Sequence, residues 1–380
     1  MFKILDLYIA RTLLGTITVT LSVLIGLSAL IKFVEQLRKI GEGDYDMLVA
    51  FIYVLLSLPR DLEQFFPMAT LLGGLIGMGV LASNSELVVM QAAGMSRWNI
   101  INSAMKSTLV MILLVMAVGE WVTPYSETKA KQIRTEAISG GSLFSSDKLV
   151  WAKDGDRFVS IGQVLSQDSL KDVSIFSFKP DLSLESITHA KNGAFDGDGW
   201  WLSDVEVTEF TETKVTVEEN NRMRWNSTLT PDKLGIVAVK PEALSITGLL
   251  DYVNYLENND QDPSRYQLAL WRKVFQPISV GVMLLMALSF IFGPLRSVTM
   301  GARVIMGVLT GFGFFILNEV FGPVSLVYQL PPFLGALLPS LLFAAIAGVM
   351  LRRLTSYQHS SNSTVKTNKK EALQPLFLMF

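Results

Sequence analysis

The sequence predicts a membrane α-helical protein of six transmembrane helices, with an all-β domain inserted between the third and the fourth. Half of the 380 residues are hydrophobic and 17% are charged, whereas about a quarter of the residues of a soluble domain are charged. Six largely uncharged runs approach the ~20 apolar residues that cross a bilayer core. Between the third and fourth runs, short alternating segments are separated by turn residues, which is typical of an antiparallel sheet.

The six apolar runs end at charged residues or at Gly-Pro pairs. They cover residues 12–31, 65–82, 100–122, 274–292, 304–321 and 333–350. The apolar piece 47–58 is too short to cross a membrane alone, and Pro59, Arg60 and Asp61 follow it. Because proline disrupts a helix, we interpret this piece either as an interfacial helix or as a kinked extension of the second span.

The positions of Lys and Arg predict the orientation of the spans, because short cytoplasmic loops are enriched in these residues. Arg97, Arg296 and Arg352 lie in segments on one side of a six-span topology, whereas the loop 323–332 on the other side has no charge. We therefore expect a multi-pass protein whose termini are both cytoplasmic. The long 123–263 segment is expected outside the cytoplasm.

These patterns divide the chain into four parts. The tail after residue 354 is rich in Ser, Asn, Thr and Lys, a composition that favours disorder. The parts are the first three spans with a short helix at 84–94 (1–138), the β domain (139–263), the last three spans (264–354) and a disordered cytoplasmic tail (355–380).

The β domain is predicted from alternating apolar and polar residues. Asp154-Gly155-Asp156 indicates a hairpin, while Asn192-Gly193 and residues 196–199 have the composition of turns. Strands of this kind form a sandwich, a jellyroll or an open barrel. The sequence leaves open whether the interior of this domain is inert or holds an acyl chain.

Composition excludes several classes of function. Lys and Arg number 32 against 34 Asp and Glu, which argues against a broadly basic nucleic-acid binder. The absence of Cys and the presence of only two His leave no thiolate site, no His-cluster metal site and little room for a His-based triad. No P-loop motif occurs. We therefore predict no catalytic residue, no metal and no cofactor.

The segment between the second and third runs is the first functional candidate. Ser83 and Glu86 have the spacing of a capping box, and Gly94 is suited to a left-handed helix end. A helix of about ten residues is marginal in water without tertiary contacts. Its apolar residues therefore either pack on lipid and on the protein's own helices or dock into a cytoplasmic partner. They are Leu87, Val88, Val89 and Met90.

Two clusters of cations lie where the first and third runs end on the outer side. Lys32, Glu35 and Arg38 have the spacing of a salt-bridge ladder along one helix face. Alternatively, the cations bind an anionic head group, since Lys and Arg are good phosphate ligands. If the first and third spans line one cavity, both clusters are able to hold the same anion; otherwise the second is a solvated face. The clusters are Lys32, Arg38 and Lys39, and Lys129, Lys131 and Arg134.

Three phrases of the sequence resemble the LptF/LptG family of lipopolysaccharide export permeases, with the LptG branch as the nearer match. They are ELVVMQAAGMS at 86–96, LTPDKLG at 229–235 and SFIFGPLRS at 289–297, and the similarity extends to about residue 353. The resemblance implies six transmembrane helices with a periplasmic β-jellyroll between the third and fourth. It also implies the bacterial inner membrane, with both termini in the cytoplasm.

The resemblance further implies a permease subunit rather than an enzyme. Such a subunit pairs with LptF around a central cavity, and a dimer of the ATPase LptB supplies ATP hydrolysis from the cytoplasmic side. LptC adds a further helix and jellyroll. The LptBFG ABC transporter is expected to extract lipopolysaccharide from the outer leaflet of the inner membrane and pass it to the periplasmic bridge, for outer membrane biogenesis.

The resemblance assigns roles to both candidate sites. The family's coupling helix, which faces the ATPase, maps onto residues 84–94, and its basic lipid A site onto the two outer clusters. Arg38 stands where some relatives carry Lys, which keeps the charge but changes the geometry. The implied coupling residues are Glu86, Leu87, Val88, Met90 and Gly94. The implied lipopolysaccharide-binding residues are Lys32, Arg38, Lys39, Lys131 and Arg134.

Two alternatives come from other classes of function. A secondary transporter driven by an ion gradient predicts inverted repeats and ionisable pairs within the membrane. The sequence offers only Glu319, near the outer end of the fifth run, which either reaches the interface or relays protons. The second alternative is a membrane-anchored scaffold whose β domain binds a periplasmic protein.

Overall fold

A computed structural model describes residues 4–139, 150–166, 168–211, 213–231, 241–293 and 298–373. The helices in these ranges are α1 (Ile4–Leu37), α2 (Met47–Ser83), α3 (Glu86–Ala92), α4 (Arg97–Ala117), α5 (Thr123–Ser139), α6 (Ile246–Asn258), α7 (Ser264–Phe292), α8 (Met300–Val327) and α9 (Pro332–Leu373). A π-helical turn, Val118–Val122, joins α4 directly to α5.

Six helical stretches within the described ranges are long and apolar enough to cross a membrane. A β domain lies between the third and fourth of them, so the predicted fold class is confirmed. The stretches are α1, α2, the continuous helix Arg97–Ile138, α7, α8 and Pro332–Arg352 of α9. The piece 47–58 is part of α2, which confirms an extension of the second span and excludes a separate interfacial helix.

The fifth span differs from the prediction, because α8 does not stop at Gly322-Pro323 but continues to Val327. Proline is tolerated in membrane helices where other groups satisfy the backbone around it. The fourth span ends at Phe292 as predicted, and residues 294–297, including Arg296, lie outside the described residues.

The backbone after the sixth span also differs from the expected tail. Helix α9 continues through Leu373, whereas disorder was expected from residue 355 onward. Once a helix is nucleated, each further residue adds one hydrogen bond, so a polar sequence is able to extend an apolar span. Residues 374–380 lie outside the described part of the chain.

The β domain contains one antiparallel sheet in which the described strands follow chain order. The strands are β1 (Val150–Asp154), β2 (Arg157–Ser166), β3 (Ser169–Phe178), β4 (Leu184–Phe195), β5 (Trp200–Phe210) and β6 (Val215–Trp225). Asp154 pairs with Arg157 across the predicted hairpin, and Gly155 adopts a positive φ of 61°. This part of the strand prediction is confirmed.

The prediction of a turn at Asn192-Gly193 is wrong, because both residues lie inside β4. A β-carbon at Gly193 would lie only 3.3 Å from the Leu202 side chain and 3.4 Å from that of Leu170. The glycine therefore admits two large core side chains from the neighbouring strands. The real turn follows at 196–199, where the Asp196 amide donates to the Gly199 carbonyl at 3.1 Å.

Helix α6 covers one face of the sheet and completes its core. The buried strand residues pack with Tyr252, Tyr255 and Leu256 of α6. Burial raises the pKa of Tyr255 to about 12, so its hydroxyl stays protonated and donates to the Lys153 carbonyl at 2.9 Å. The indole of Trp200 closes the core by donating to the Leu229 carbonyl at 2.7 Å.

The chain forms two compact units. The boundaries of the four predicted parts stay a prediction. The first unit comprises Met1–Leu24, Gln64–Val115 and Val274–Phe380, and the second comprises Ile25–Glu63 and Met116–Lys273. In the first unit, α1 and α2 approach closely at Gly73, whose carbonyl accepts the Thr16 hydroxyl at 2.8 Å. A β-carbon at Gly73 would lie 2.5 Å from the Cα of Ile17.

Substitution of Gly73 by alanine is therefore expected to destabilise the protein by about 1–3 kcal/mol, since backbone atoms of α1 cannot move aside as a side chain would. Thermal unfolding of the purified protein in detergent measures this. Gly313→Ala is the matched control, because Gly313 is also in an apolar helix and has no atom within 4 Å of its added β-carbon. Equal unfolding temperatures for the two variants would contradict the close approach.

Candidate functional site

One turn of α2 carries three charged residues, and each is paired with a different helix of the second unit. Arg60 lies 3.5 Å from Glu127 of α5, Asp61 lies 2.6 Å from Lys32 of α1, and Glu63 lies 3.0 Å from Lys273 of α7. The carboxylates of Asp61, Glu63 and Glu127 are largely buried. We call this set the ionic layer; its members are Lys32, Arg60, Asp61, Glu63, Glu127 and Lys273.

The pair of Lys32 with Asp61 differs from the predicted ladder along α1. The Lys32 ammonium contacts Oδ1 of Asp61, and the Ser28 hydroxyl donates to Oδ2 at 2.9 Å. The Asp61 side chain is 3% exposed and the Lys32 side chain 27%. Helix α1 ends at Leu37, so Arg38 follows it in a turn rather than on the same helix face.

The pair of Lys273 with Glu63 is the most enclosed of the three, because both side chains are 10% exposed. The Lys273 ammonium also donates to the carbonyl of Gly119 at 3.2 Å. Gly119 lies in the π-helical turn, where a β-carbon would lie 2.6 Å from the Glu63 carboxyl carbon. Only glycine therefore lets this turn approach the buried carboxylate.

The π-helical turn is also fastened to helix α6. The Glu120 carboxylate accepts the Ile246 amide at 2.7 Å and the Thr247 hydroxyl at 3.1 Å. Free amides at a helix start favour an acidic partner. The Ser245 hydroxyl caps the start of α6 by accepting a hydrogen bond from the Gly248 amide.

The turn after α1, which carries Arg38 and Lys39, packs on the end of α5. The Asp44 amide donates to the Ala137 carbonyl at 2.8 Å. Gly43 has a positive φ of 56°, and a β-carbon there would lie 2.6 Å from the same carbonyl. Arg38 is exposed and Lys39 is half-buried. The second unit thus places the first basic cluster and α5 side by side.

Arg134 of the second cluster contacts the side chain of Tyr53 on α2. Its guanidinium lies 5.2 Å from the centre of the Tyr53 ring, and one nitrogen is 3.5 Å from the Tyr53 hydroxyl. Burial raises the pKa of Tyr45, and the positive charge of Arg134 acts in the opposite direction. Lys131, three residues earlier, is half-buried. Arg134 therefore lies beside α2 and near the turn after α1.

Helix α3 begins differently from the prediction but ends at Gly94 as predicted. The capping box is wrong: Ser83 donates to the Val80 carbonyl, and the N-cap residue is Ser85, which has a left-handed backbone and no side-chain cap. Gly94 adopts a φ of 93° as predicted. The Gly94 amide donates to the Gln91 carbonyl, and the Met95 amide donates to the Met90 carbonyl. These two hydrogen bonds form a Schellman motif.

The apolar face of α3 is divided between the protein and the solvent. Leu87 and Met90 are buried within the first unit, whereas Val88 is 53% exposed and Val89 is more so. Glu86 is held by α1, since the Tyr8 hydroxyl donates to its Oε2 at 2.8 Å. The predicted coupling residues thus separate into buried ones that fix the helix and exposed ones that remain available for contact.

The ionic layer was missed at the sequence level, although a signal existed. Arg60, Asp61 and Glu63 interrupt an otherwise apolar stretch, and ionisable residues in such a stretch are functional candidates. The sequence pattern predicts only an interruption of the apolar stretch at Pro59, Arg60 and Asp61, and Glu63 is not among the predicted site residues. Glu319 is exposed on α8, and the structure gives it no ion pair within the described ranges. Those ranges also contain no group of three or more His, Asp and Glu side chains that could hold a metal.

Comparison with known proteins finds similarity over nearly the whole chain. The family described as lipopolysaccharide export system permease LptF/LptG matches residues 7–353. The chain is 50% identical to the lipopolysaccharide export system permease protein LptG of Escherichia coli (strain K12) and 46% identical to that of Haemophilus influenzae (strain ATCC 51907 / DSM 11121 / KW20 / Rd). Each match covers 93% of this chain and 99% of the relative.

A more distant similarity extends over about half of the chain. The LptF protein of Escherichia coli (strain K12) is 24% identical over 175 residues, which are 46% of this chain and 48% of that protein. The region matched by the family contains all six spans, the ionic layer and α3.

Removal of one partner from the Lys273–Glu63 pair is expected to be worse than removal of both. Lys273→Met removes the ammonium group that contacts the buried Glu63 carboxylate, and breaking a buried ion pair from one side costs about 3–5 kcal/mol. The double variant Lys273→Met, Glu63→Met should regain a large part of that loss, and thermal unfolding in detergent measures the difference. A double variant less stable than the single one would show that the charges themselves are required.

Proposed function

The chain belongs to the LptF/LptG family of lipopolysaccharide export system permeases, and we propose how its basic outer clusters and helix α3 serve that function. It is a multi-pass inner-membrane permease subunit of the lipopolysaccharide export system. The observation that carries this conclusion is the 50% identity to an LptG protein over 99% of its length. The secondary-transporter and scaffold alternatives have no comparable support.

We propose that the chain works in an ABC transporter with an LptF partner, an LptB dimer that hydrolyses ATP, and LptC. The family description names LptF together with LptG, which supports this pairing. In this arrangement the β domain is periplasmic and both termini are cytoplasmic. The transporter extracts lipopolysaccharide from the outer leaflet and passes it to the periplasmic bridge.

The basic clusters at the outer ends of α1 and α5 are proposed to bind the lipid A phosphates. Phosphates accept strong hydrogen bonds from Lys and Arg where water is partly excluded. The exposed Arg38 and the half-buried Lys39 support this role, because their turn packs on the helix that carries Arg134. Lys32 and Lys131 complete the proposed site.

Helix α3 is proposed to receive the movement of the ATPase. Its buried Leu87 and Met90 fasten it to the first unit, so a force on the helix is passed on rather than absorbed. The exposed Val88 and Val89 supply an apolar surface for the partner. The Glu86–Tyr8 hydrogen bond ties the same helix to α1.

Charge reversal at Arg38 and Lys39 is expected to weaken lipopolysaccharide binding by about tenfold, the scale of one charge-assisted hydrogen bond. Photo-crosslinking of lipopolysaccharide to the purified complex measures this. Lys191→Glu, at an exposed cation of the β domain, is the control. Crosslinking at the wild-type level in the Arg38→Glu, Lys39→Glu variant would remove the basic site from the mechanism.

Val88→Asp with Val89→Asp is expected to lower the amount of co-purifying ATPase by at least about tenfold, because a charge in an apolar contact is left desolvated. The unfolding temperature should stay unchanged, since both side chains are exposed. Val215→Asp is a matched control, because Val215 is a 58% exposed valine of the β domain. Retention of the ATPase at wild-type stoichiometry would refute docking through this face.

A further inference from the structure

The positive charge of Lys32 is already paired with a carboxylate of the protein. Its ammonium lies 2.6 Å from Asp61 Oδ1, and the Asp61 side chain is 3% exposed. The only other hydrogen bond of this carboxylate in the described residues comes from Ser28, at 2.9 Å on Oδ2. A phosphate that approaches Lys32 therefore meets an ion pair rather than a free cation.

The geometry allows Lys32 to contact a phosphate while it stays paired with Asp61, but it disfavours complete separation of Lys32 from Asp61. An ammonium group has three donors, and 27% of the Lys32 side chain is exposed, so one side of the group is accessible. Complete transfer of Lys32 to a phosphate would leave Asp61 buried with one hydroxyl as its partner. An uncompensated buried charge is strongly unfavourable. Asp61 thus limits how firmly Lys32 can hold an anion.

We propose that Asp61 is a positioning residue that shares Lys32 with the lipid A phosphate and keeps the lipid's hold weak enough for release. The proposal rests on the proposed function, in which Lys32 binds this phosphate. A site that must pass its lipid onward on every cycle gains from such an opposing charge. Asp61 acts on the phosphate through Lys32 and contributes no contact of its own.

The neighbouring pair of Lys273 with Glu63 provides a structural contrast. Both of its side chains are 10% exposed, and the Lys273 ammonium also donates a hydrogen bond to the Gly119 carbonyl. This ammonium is less accessible to an approaching head group. Neutralising Glu63 should therefore alter stability without strengthening the hold on the lipid.

The test compares Asp61→Asn, Lys32→Gln and the double variant in the purified complex in lipid nanodiscs. Lipopolysaccharide affinity and ATP-driven release are both measured. Asp61→Asn is expected to bind lipopolysaccharide about three- to tenfold more tightly and to release it correspondingly more slowly. The gain should vanish in the Lys32→Gln background and with lipopolysaccharide whose lipid A phosphates are removed. Glu63→Gln should bind as the wild type does.

The outcomes separate this inference from the function on which it rests. If Lys32→Gln weakens binding but Asp61→Asn does not strengthen it, the sharing role of Asp61 is overturned while the basic site stands. If Lys32→Gln leaves binding unchanged, Lys32 is no phosphate ligand, and the inference fails together with the role of Lys32 in the basic site; the Arg38→Glu, Lys39→Glu variant then decides whether the rest of the site stands. A gain that persists with dephosphorylated lipid also overturns the inference.

Ser28→Ala gives a second test with the opposite sign, which remains informative if Asp61→Asn does not assemble. Loss of the Ser28 hydroxyl leaves Asp61 more dependent on Lys32, so lipopolysaccharide affinity should fall by about two- to threefold. A purely structural role predicts no such pair of opposite effects. Unchanged or tighter binding by Ser28→Ala would contradict the proposal.

Discussion

The ionic layer on α2 is the constraint on which the arrangement of the helices in the second unit depends. Within one turn, Arg60, Asp61 and Glu63 reach three different helices. A buried ion pair adds little net stability compared with apolar packing, but it strongly disfavours any arrangement in which one partner loses the other. The layer therefore selects one register of these helices among many that apolar surfaces alone would allow.

The same layer relates the fold to the proposed lipid site. Lys32 belongs both to the layer and to the cations proposed to meet lipid A, and Arg134 lies beside α2 through Tyr53. Lys32 therefore contributes both to the positions of the helices and to the charge available to a head group. Lys32, one of the proposed lipid-binding cations, thus already faces a buried carboxylate of the protein.

The helical fold could be predicted because length and hydropathy are sufficient to find a membrane span. The finer features required tertiary information. The sequence predicts that the fifth span stops at Gly322-Pro323, yet Pro323 lies inside a helix, since membrane helices tolerate proline. Gly193 was read as a turn residue, whereas large neighbours in the sheet explain it. In α3, the sequence could not separate the buried Leu87 from the exposed Val88, because that division depends on packing.

The π-helical turn at Val118–Val122 is where the β domain is mounted. Glu120 grips the first residues of α6, and the far half of the same helix is embedded in the sheet core through Tyr252 and Tyr255. Helix α6 is thus held by contacts at both of its ends. Because π-bulges are among the places where long helices kink, a change of bend at this turn would reach the start of α6 through Glu120 and, through α6, the core of the sheet.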